Sequence, residues 1–262
     1  MSLAQLQFDA ASGIARVTVN RPQVLNALDV PTARAIHDAI RPLRGDAAVR
    51  CIVLGGAGRA FIAGGDLARF AEDFGQAANV VDELLDALHP AIEILRNHDA
   101  PVLASVHGAV AGAGLSLMAA CDLAVAAEGT RFLLAYDRIG AAPDCGGSWF
   151  LPRLLGERRA AELMLLGETW DVDTALRMGL VNRVVPADDL ESTTQALAQR
   201  LAAGPTRAYG VYKRLSAQAY SRPLSQQLEC EREAFKAATR TADFRASVTA
   251  FLSRTTPQFS GR

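Results

Sequence analysis

The chain has 262 residues, enough for one large domain or two small ones with a sizeable buried core. Its 27 lysines and arginines nearly balance 28 aspartates and glutamates. The resulting net charge of −1 provides no basic field, so no nucleic-acid partner is expected. Hydrophobic residues make up 50% of the chain and charged residues 21%, a composition that excludes a disordered protein.

Strands and helices alternate in the first half of the sequence. Hydrophobic patterns predict strands at 6–9, 14–20, 51–54, 101–106 and 123–126, and helices from position 29, along 81–95 and over 112–120. Asp29 is the expected N-cap of the first helix, because Pro31 follows near the first helical position. This order of elements predicts right-handed β-α-β units.

Beyond Cys145 the pattern becomes mostly helical. Helices are predicted at 148–155, 157–166, 190–203, 205–218 and 224–253, with a short extended piece at 181–185. We therefore expect an α/β core over residues 1–200 and a helical C-terminal region over residues 201–262. No internal repeat or low-complexity linker divides the sequence.

The cysteines and the uncharged segments indicate a soluble intracellular protein. Four cysteines lie far apart without a C-x-x-C pair, which excludes a zinc ribbon and favours a reduced, cytoplasmic protein. The start of the chain does not resemble a signal peptide. The uncharged run over 100–121 is long enough to cross a membrane, but ten of its residues are alanine or glycine. A strand, a turn and a helix explain this run better, so no membrane partner is expected.

Several well-known motifs are absent. Gly56-Ala57-Gly58 and Gly112-Ala113-Gly114 lack the third glycine of a dinucleotide-binding fingerprint, and neither a P-loop nor a G-x-S-x-G nucleophile elbow occurs. The histidines at positions 37, 89, 98 and 107 are not at metal-ligand spacing, so no metal site is predicted.

Two glycine-rich turns, at 61–67 and 107–115, each follow an apolar strand and lead into a helix. Small residues let a ligand approach the backbone closely, and free N–H groups at a helix start point towards an anion. One N–H group from each turn would form an oxyanion hole. For either turn alone, tight packing of a strand against a helix is the favoured interpretation.

The two turns belong to a set of motifs that runs along the chain. The others are Asn20-Arg21-Pro22 with Asn26-Ala27-Leu28, Cys121-Asp122-Leu123, the segment 179–186, and a tail with Phe251, Leu252, Pro257, Phe259, Gly261 and Arg262. Together they resemble the enoyl-CoA hydratase/isomerase (crotonase) superfamily over nearly the whole chain. The resemblance implies an α/β fold of spiralling β-β-α units, whose helical C-terminal region serves trimerisation. It also implies a homotrimer or a dimer of trimers, and an acyl-CoA thioester as substrate with no separate cofactor.

The resemblance also implies roles for single residues. The N–H groups of Gly65 and Ala113 would be the oxyanion donors, although alanine stands where the family usually has glycine. Contacts with the CoA ester are implied for Ala27, Ala63, Gly65, Asp66, Leu67, Ala68, Ala113 and Tyr136. Lys213 is a candidate for approaching the CoA phosphates. Residues 65–90, residues 130–150 and a neighbouring subunit are expected to line the acyl pocket.

Two departures from the family pattern bear on the reaction. Hydratases of the family activate water with two glutamates, and these positions are Ser116 and Tyr136 in this sequence. A hydroxyl and a phenol cannot replace a pair of carboxylates as general base and acid near neutral pH, because an unperturbed tyrosine titrates near ~10. Simple hydration of a 2-enoyl-CoA is therefore disfavoured. Tyr136 is expected to line the acyl pocket or to be an ordinary buried tyrosine.

Asp144 is the remaining acidic candidate. Pro143-Asp144-Cys145-Gly146-Gly147-Ser148-Trp149 resembles a motif of isomerase-like members, including ring-epoxide isomerases and some Δ3,Δ2-enoyl-CoA isomerases. The nucleophilic aspartate of 4-chlorobenzoyl-CoA dehalogenase also aligns with Asp144. An aspartate here could equally cap the following helix. The loss of both glutamates favours catalysis, because some group must move the proton.

The histidines are secondary candidates. His89 aligns with a histidine of the dehalogenase, but a helical histidine is more often a packing or capping residue than a catalyst. His37 and His98 are expected at the surface.

The favoured function is that of an acyl-CoA isomerase with Asp144 as acid and base. The alternatives are a dehalogenase-like or thioesterase-like hydrolase with Asp144 as nucleophile, a non-catalytic subunit that binds acyl-CoA, and a plain enoyl-CoA hydratase.

Overall fold

Two sheets and a series of helices form from residues 2–261, the part of the chain that this computed structural model describes. The strands are β1 (Ala4–Asp9), β2 (Ile14–Val19), β3 (Cys51–Gly56), β4 (Val102–Val106), β5 (Ala109–Ala111), β6 (Leu123–Ala127), β7 (Arg131–Leu133), β8 (Thr169–Trp170) and β9 (Arg183–Val185). The helices are α1 (Val30–Ile40), α2 (Leu67–Ala71), α3 (Ala77–Asn97), α4 (Ala113–Ala119), α5 (Gly147–Leu155), α6 (Glu157–Leu165), α7 (Val172–Met178), α8 (Leu190–Ala202), α9 (Thr206–Ala219), α10 (Leu224–Ala238) and α11 (Ala242–Leu252). The predicted α/β class with a helical C-terminal region is confirmed.

The larger sheet has the strand order β1-β2-β3-β4-β6-β9. β1 and β2 are antiparallel, and the later neighbours are parallel, with Ile52 of β3 opposite Val102 of β4. Successive residues of β3 face opposite sides, so Ile52 and Leu54 pack with α1 and α3 while Cys51 and Val53 pack with α8. Because both faces are covered, the inner strands are continuous apolar runs.

The smaller sheet, in the order β5-β7-β8, was not anticipated from the sequence. β5 lies inside the second glycine turn, and its three residues are too short to give an alternating pattern. β5 is parallel to β7, and an isolated bridge joins Val110 to Ile62 of the first turn. The second turn is therefore part of a sheet and is held against the first turn by backbone pairing.

The first long helices form as the sequence predicts. Asp29 caps α1 by accepting a hydrogen bond of 2.8 Å from the Thr32 N–H group. α3 buries Leu84, Leu88 and Leu95 on one face at helical spacing and packs on α1. Among residues 2–261, no helix combines the length and apolar character needed to cross a membrane.

The C-terminal helix predicted over 224–253 is wrong as a single element. It divides into α10 and α11, and the Thr241 side chain starts α11 by accepting a hydrogen bond of 3.1 Å from the Phe244 N–H group. Apolar residues continue across the break, which hid the N-cap within a helical pattern. The tail then returns to α11, where Asp243 accepts the N–H groups of Ser260 and Gly261. Arg262 lies outside the described residues.

The expected surface position of His98 is also wrong. Only 6% of this residue is exposed, and its Nδ1 accepts a hydrogen bond of 2.9 Å from the Ala100 N–H group. Burial lowers the pKa of the imidazole, and the nearby Lys213 charge lowers it further. A polar residue that follows the last turn of a helix gives no hydrophobic signal, so the sequence did not reveal this burial.

Candidate active site

Residues 20–28 form a brace for the first glycine turn. Asn26 is fully buried, and its amide group donates to the carbonyl oxygens of Ala60 at 2.8 Å and Phe61 at 3.0 Å. Its Oδ1 accepts the Arg21 N–H group at 2.7 Å. The motif therefore fixes the backbone that leads into Gly64 and Gly65.

Arg21 extends this brace to the predicted CoA-binding segment. Its Nη1 lies 2.8 Å from the Asp66 carboxylate and donates to the Ala27 carbonyl at 2.9 Å, while its Nη2 lies 3.1 Å from Asp29. These groups are mostly buried, so the pairing holds the loop firmly. The Asp66 carboxylate is therefore engaged with Arg21, which leaves the backbone of the segment as the part that could meet a ligand.

The remaining residues of that segment surround Gly65. The Ala63 N–H group donates to Leu25 at 3.1 Å, and Leu67 and Ala68 are exposed in the first turn of α2. The ring of Phe70 packs beside Gly65, where an added Cβ atom would lie 3.4 Å from it.

The two glycine turns are in direct contact. The Ala111 N–H group donates to the Ile62 carbonyl at 3.0 Å, and a Cβ atom on Gly64 would lie 3.8 Å from Gly112 Cα. Gly64 and Gly112 have φ values of +100° and +50°, which favour glycine. Gly64 and Gly112 thus allow the two turns to pack closely, and they also position the residues that follow them, Gly65 and Ala113.

The N–H groups of Gly65 and Ala113 have no protein acceptor within the described part of the chain. Their neighbours are paired, since the Asp66 N–H group donates to Leu28 and the Gly112 N–H group donates to Leu133. Gly65 is half-buried and Ala113 is buried as the first residue of α4. Two unused main-chain donors thus follow directly on two turns that touch.

A short hydrogen bond joins the side chains of Tyr136 and Asp144. The phenol hydroxyl donates to Oδ1 of Asp144 at 2.5 Å, and Tyr136 is only 7% exposed. Burial raises the pKa of the phenol well above its ordinary value, and the Asp144 carboxylate raises it further. Tyr136 therefore remains a hydrogen-bond donor to a carboxylate at physiological pH. Sequence reasoning placed both residues at the site but did not pair them.

Asp144 does not cap α5. The N-cap position is Gly146, which has a φ of +81° and makes no side-chain cap hydrogen bond, and the preceding Cys145 has a φ of +50°. Only the Asp144 carbonyl contributes to the turn, by accepting the Gly147 N–H group at 2.9 Å. The structural alternative for Asp144 is thus contradicted, and its carboxylate is available for other interactions.

Ser116 connects the second glycine turn to the turn that carries Asp144. Its side chain is fully buried, and a Cβ atom on Gly147 would lie 2.5 Å from its Oγ. Ala113 lies three residues earlier in α4, on the same side of the helix. α4 therefore packs with its first turn against the turn that carries Asp144. At this position the chain has a packing hydroxyl instead of a carboxylate.

Lys213 is unable to serve the CoA phosphates as anticipated. It is 5% exposed, its Nζ lies 2.9 Å from Asp122, and it donates to the carbonyls of Leu95 and Ala100 at 3.1 Å. Burial lowers the pKa of the amine, and the Asp122 charge opposes this effect. Its partners are distant in sequence, so this structural role was not visible there. His89, by contrast, is exposed on α3.

Residues 2–261 contain no cluster of three or more histidine, cysteine, aspartate or glutamate side chains that could hold a metal ion.

Comparison with known proteins shows the family to which the chain belongs. Residues 9–262 match the enoyl-CoA hydratase/isomerase family. A Rhodobacter capsulatus protein named "Probable enoyl-CoA hydratase" is 38% identical over the full length of both chains. The 1,2-epoxyphenylacetyl-CoA isomerase of Escherichia coli is 36% identical over 95% of this chain and 96% of its own. The crystal structure of an enoyl-CoA hydratase from Polaromonas superposes with a TM-score of 0.91 at 35% identity, covering 98% of this chain and 99% of that one.

The chain belongs to the enoyl-CoA hydratase/isomerase family, and its fold is that of the crotonases. The family acts on acyl-CoA thioesters, and its named relatives include both hydratases and isomerases.

Proposed function

We propose that the protein is an acyl-CoA isomerase in which Asp144 moves the proton. The observation that carries this proposal is the carboxylate of Asp144, held by the protonated phenol of Tyr136 at 2.5 Å. The second position where a hydratase needs a carboxylate is the buried Ser116. One acidic group suffices to remove a proton and return it elsewhere, whereas water addition by the family's route needs two. The similarity to an epoxyphenylacetyl-CoA isomerase supports the same choice.

The proposed mechanism begins at the two unused amides. The N–H groups of Gly65 and Ala113 donate to the thioester oxygen and stabilise the enolate that forms when the α-proton leaves. Each such donor contributes about 3–4 kcal/mol to transition-state stabilisation. Asp144 accepts the α-proton and gives it to the γ-carbon as the double bond shifts, so no proton is gained or lost overall. Tyr136 keeps its own proton and fixes the carboxylate through its hydrogen bond.

Substrate binding is assigned to the loops around the two turns. We propose that Ala27, Ala63, Gly65, Asp66, Leu67, Ala68, Ala113 and Tyr136 contact the CoA ester, with the Asp66 segment acting through its backbone. No cofactor other than the CoA of the substrate is required by this chemistry.

The assembly is proposed to be a homotrimer or a dimer of trimers in the cytoplasm. Large apolar side chains of the C-terminal helices are strongly exposed in the single chain, including Tyr212 at 70%, Phe235 at 67%, Phe251 at 83% and Leu252 at 76%. Apolar surface of this extent is typical of a face that is buried by association.

The test is a panel of 2-enoyl-, 3-enoyl- and aryl-CoA esters with product identification, for the wild type and Asp144→Asn. We expect double-bond or ring isomerisation by the wild type. Asp144→Asn should lose at least about 10²-fold in kcat, because the proton transfer has lost its base, with little change in CoA-ester binding. Retention of most activity by the variant would remove Asp144 from the mechanism.

The same experiment separates the alternatives. A hydrolase with nucleophilic Asp144 would release free CoA or halide and leave an acyl- or aryl-enzyme visible by intact mass. A binding subunit would retain CoA esters without turnover. A hydratase would convert 2-enoyl esters into hydroxyacyl esters.

A further inference from the structure

Arg96 lies near the end of α3, outside the group of residues assigned to the reaction. Its Nη1 lies 3.1 Å from the Asp122 carboxylate and 3.4 Å from the Ala120 carbonyl oxygen. Asp122 also binds the buried amine of Lys213 at 2.9 Å and the Val102 N–H group at 2.8 Å. The Arg96 guanidinium is therefore fixed by a carboxylate that is itself held on several sides.

The fixed guanidinium lies over an aromatic ring of α5. The Arg96 Cζ is 5.5 Å from the centroid of Phe150, which is only 8% exposed. A cation at this distance from a desolvated ring is attracted to its face. This contact restricts the position of the Phe150 ring, together with the edge-to-face packing of the Trp149 ring at 4.8 Å between centroids.

The Phe150 ring in turn borders the turn that carries Asp144. A Cβ atom on Gly146 would lie 2.5 Å from the edge of this ring, so ring and turn backbone are in close contact. Gly147, the next residue, packs in the same way on Ser116 of α4. The turn is thus enclosed by α4 on one side and by Phe150 on another, while Tyr136 holds the carboxylate.

We propose that Arg96 is a positioning residue for Asp144, acting through Phe150 on the Asp144–Gly147 turn. This inference rests on the proposed function, because it assigns Arg96 a role in placing the proposed base. The Asp122 carboxylate, itself bound by the Lys213 amine, holds the guanidinium, the guanidinium holds the ring, and the ring limits the position of the turn. A shift of the turn moves the carboxylate away from the α-carbon, which lowers the rate of proton transfer without weakening CoA binding.

The experiment compares Arg96→Met, Phe150→Leu and the double variant with the wild type. The assay follows exchange of the α-protons of 3-hexenoyl-CoA in deuterated water, together with its isomerisation. We expect each single variant to lower kcat by about 10- to 100-fold while KM changes by less than about twofold. The kcat of the double variant should be no lower than that of the more impaired single variant, because both changes interrupt the same chain of contacts.

Arg34→Met is the control, because it also removes an arginine that pairs with a carboxylate. Arg34 of α1 lies 2.7 Å from Glu83 of α3 on the exposed surface, and neither residue belongs to the proposed site or to the contacts of Phe150 described above. This control should keep the wild-type kcat. Phe150→Leu retains the Arg96–Asp122 ion pair and tests the same contact if Arg96→Met does not fold.

A loss of kcat below about fivefold in either folded single variant, or losses that multiply in the double variant, would overturn the inference. Asp144→Asn is measured alongside. If it is inactive while Arg96→Met is unimpaired, only the role of Arg96 fails. If Asp144→Asn stays active, the proposed function fails, and the role of Arg96 fails with it.

Discussion

At the scale of single residues, His98 is a buried imidazole used as a hydrogen-bond acceptor. Its Nδ1 accepts the Ala100 N–H group, and protonation of that nitrogen would remove the bond. Burial, aided by Lys213, lowers its pKa in the folded protein. Between this lowered pKa and the ordinary value near ~6.5, the unfolded chain binds a proton that the native state does not. Stability is therefore lost as the pH falls below about 6.5.

We predict that His98→Asn reduces this pH dependence. Asparagine retains an acceptor for the Ala100 N–H group but has no proton to gain. The loss of melting temperature between about pH 7.5 and about pH 5.5 should therefore be smaller in the variant than in the wild type. His89→Asn, a change at an exposed histidine of α3, is the control and should keep the wild-type dependence. Equal pH dependence in His98→Asn and the wild type would contradict the prediction.

Individual residues also mark the limit of what the sequence reveals. Gly65, Ala113 and Asp144 were recognisable as candidates because each lies in a local motif. The burial of Lys213 was not, since its partner Asp122 belongs to a distant segment. The same is true of the Tyr136–Asp144 hydrogen bond, because the two residues are eight positions apart in a loop without a periodicity that would predict which side chains meet.

At the scale of elements, the contact between the two glycine turns depends on Gly114 in the first turn of α4. A Cβ atom at this position would overlap the Ile62 carbonyl oxygen, which belongs to the other turn. α4 can therefore approach the glycine turn at 61–67 only because Gly114 has no side chain.

We predict that Gly114→Ala destabilises the protein by about 1–3 kcal/mol through overpacking, although alanine favours a helix by ~1 kcal/mol. It should also reduce turnover, because Gly65 and Ala113 move apart. Urea unfolding and the CoA-ester assay measure the two effects. Gly55→Ala is the matched control, since an added Cβ would lie 3.8 Å from the Ser105 carbonyl oxygen and should be tolerated. A Gly114→Ala protein as stable as Gly55→Ala would refute this account.

Elements with a strong period were predicted better than elements defined by pairing. α1, α3 and the inner strands of the large sheet form near their expected positions because burial imposes their patterns. β5, β7 and β8 have two or three residues each, and only their partners make them strands. The break before α11 was missed for a related reason, since Thr241 interrupts a helix without interrupting its apolar pattern.

At the scale of the whole molecule, the tail is attached to two distant places. Asp243 accepts the N–H group and the hydroxyl of Ser260 at 2.7 and 2.9 Å and the N–H group of Gly261 at 2.8 Å. Arg50, next to β3, donates to the carbonyl oxygens of Gly204 at 2.6 Å and Phe259 at 3.4 Å. The tail thus joins α11 to the start of β3, an inner strand of the larger sheet.

We predict that Asp243→Ala releases the tail. Hydrogen bonds to a buried carboxylate contribute about 1.5–3 kcal/mol each, so amide exchange at Ser260 and Gly261 should accelerate by at least about tenfold. Hydrogen–deuterium exchange with mass spectrometry checks this outcome. Asp171→Ala removes an exposed helix cap of α7 and should leave exchange in the tail unchanged. Unaltered protection of Gly261 in Asp243→Ala would show that Asp243 does not hold the tail.

The buried ammonium group of Lys213 affects how cooperatively the protein unfolds. It enters from α9 and rests on Asp122, between β4 and β6 of the sheet. Separating α9 from the sheet would leave the mostly buried Asp122 carboxylate with Arg96 and the Val102 N–H group but without the Lys213 charge, at a cost of several kcal/mol. The Lys213–Asp122 ion pair thus links the C-terminal helical region to the larger sheet. On heating, the C-terminal helical region and the larger sheet should unfold in a single cooperative transition. A protein truncated near position 200 is expected to be insoluble.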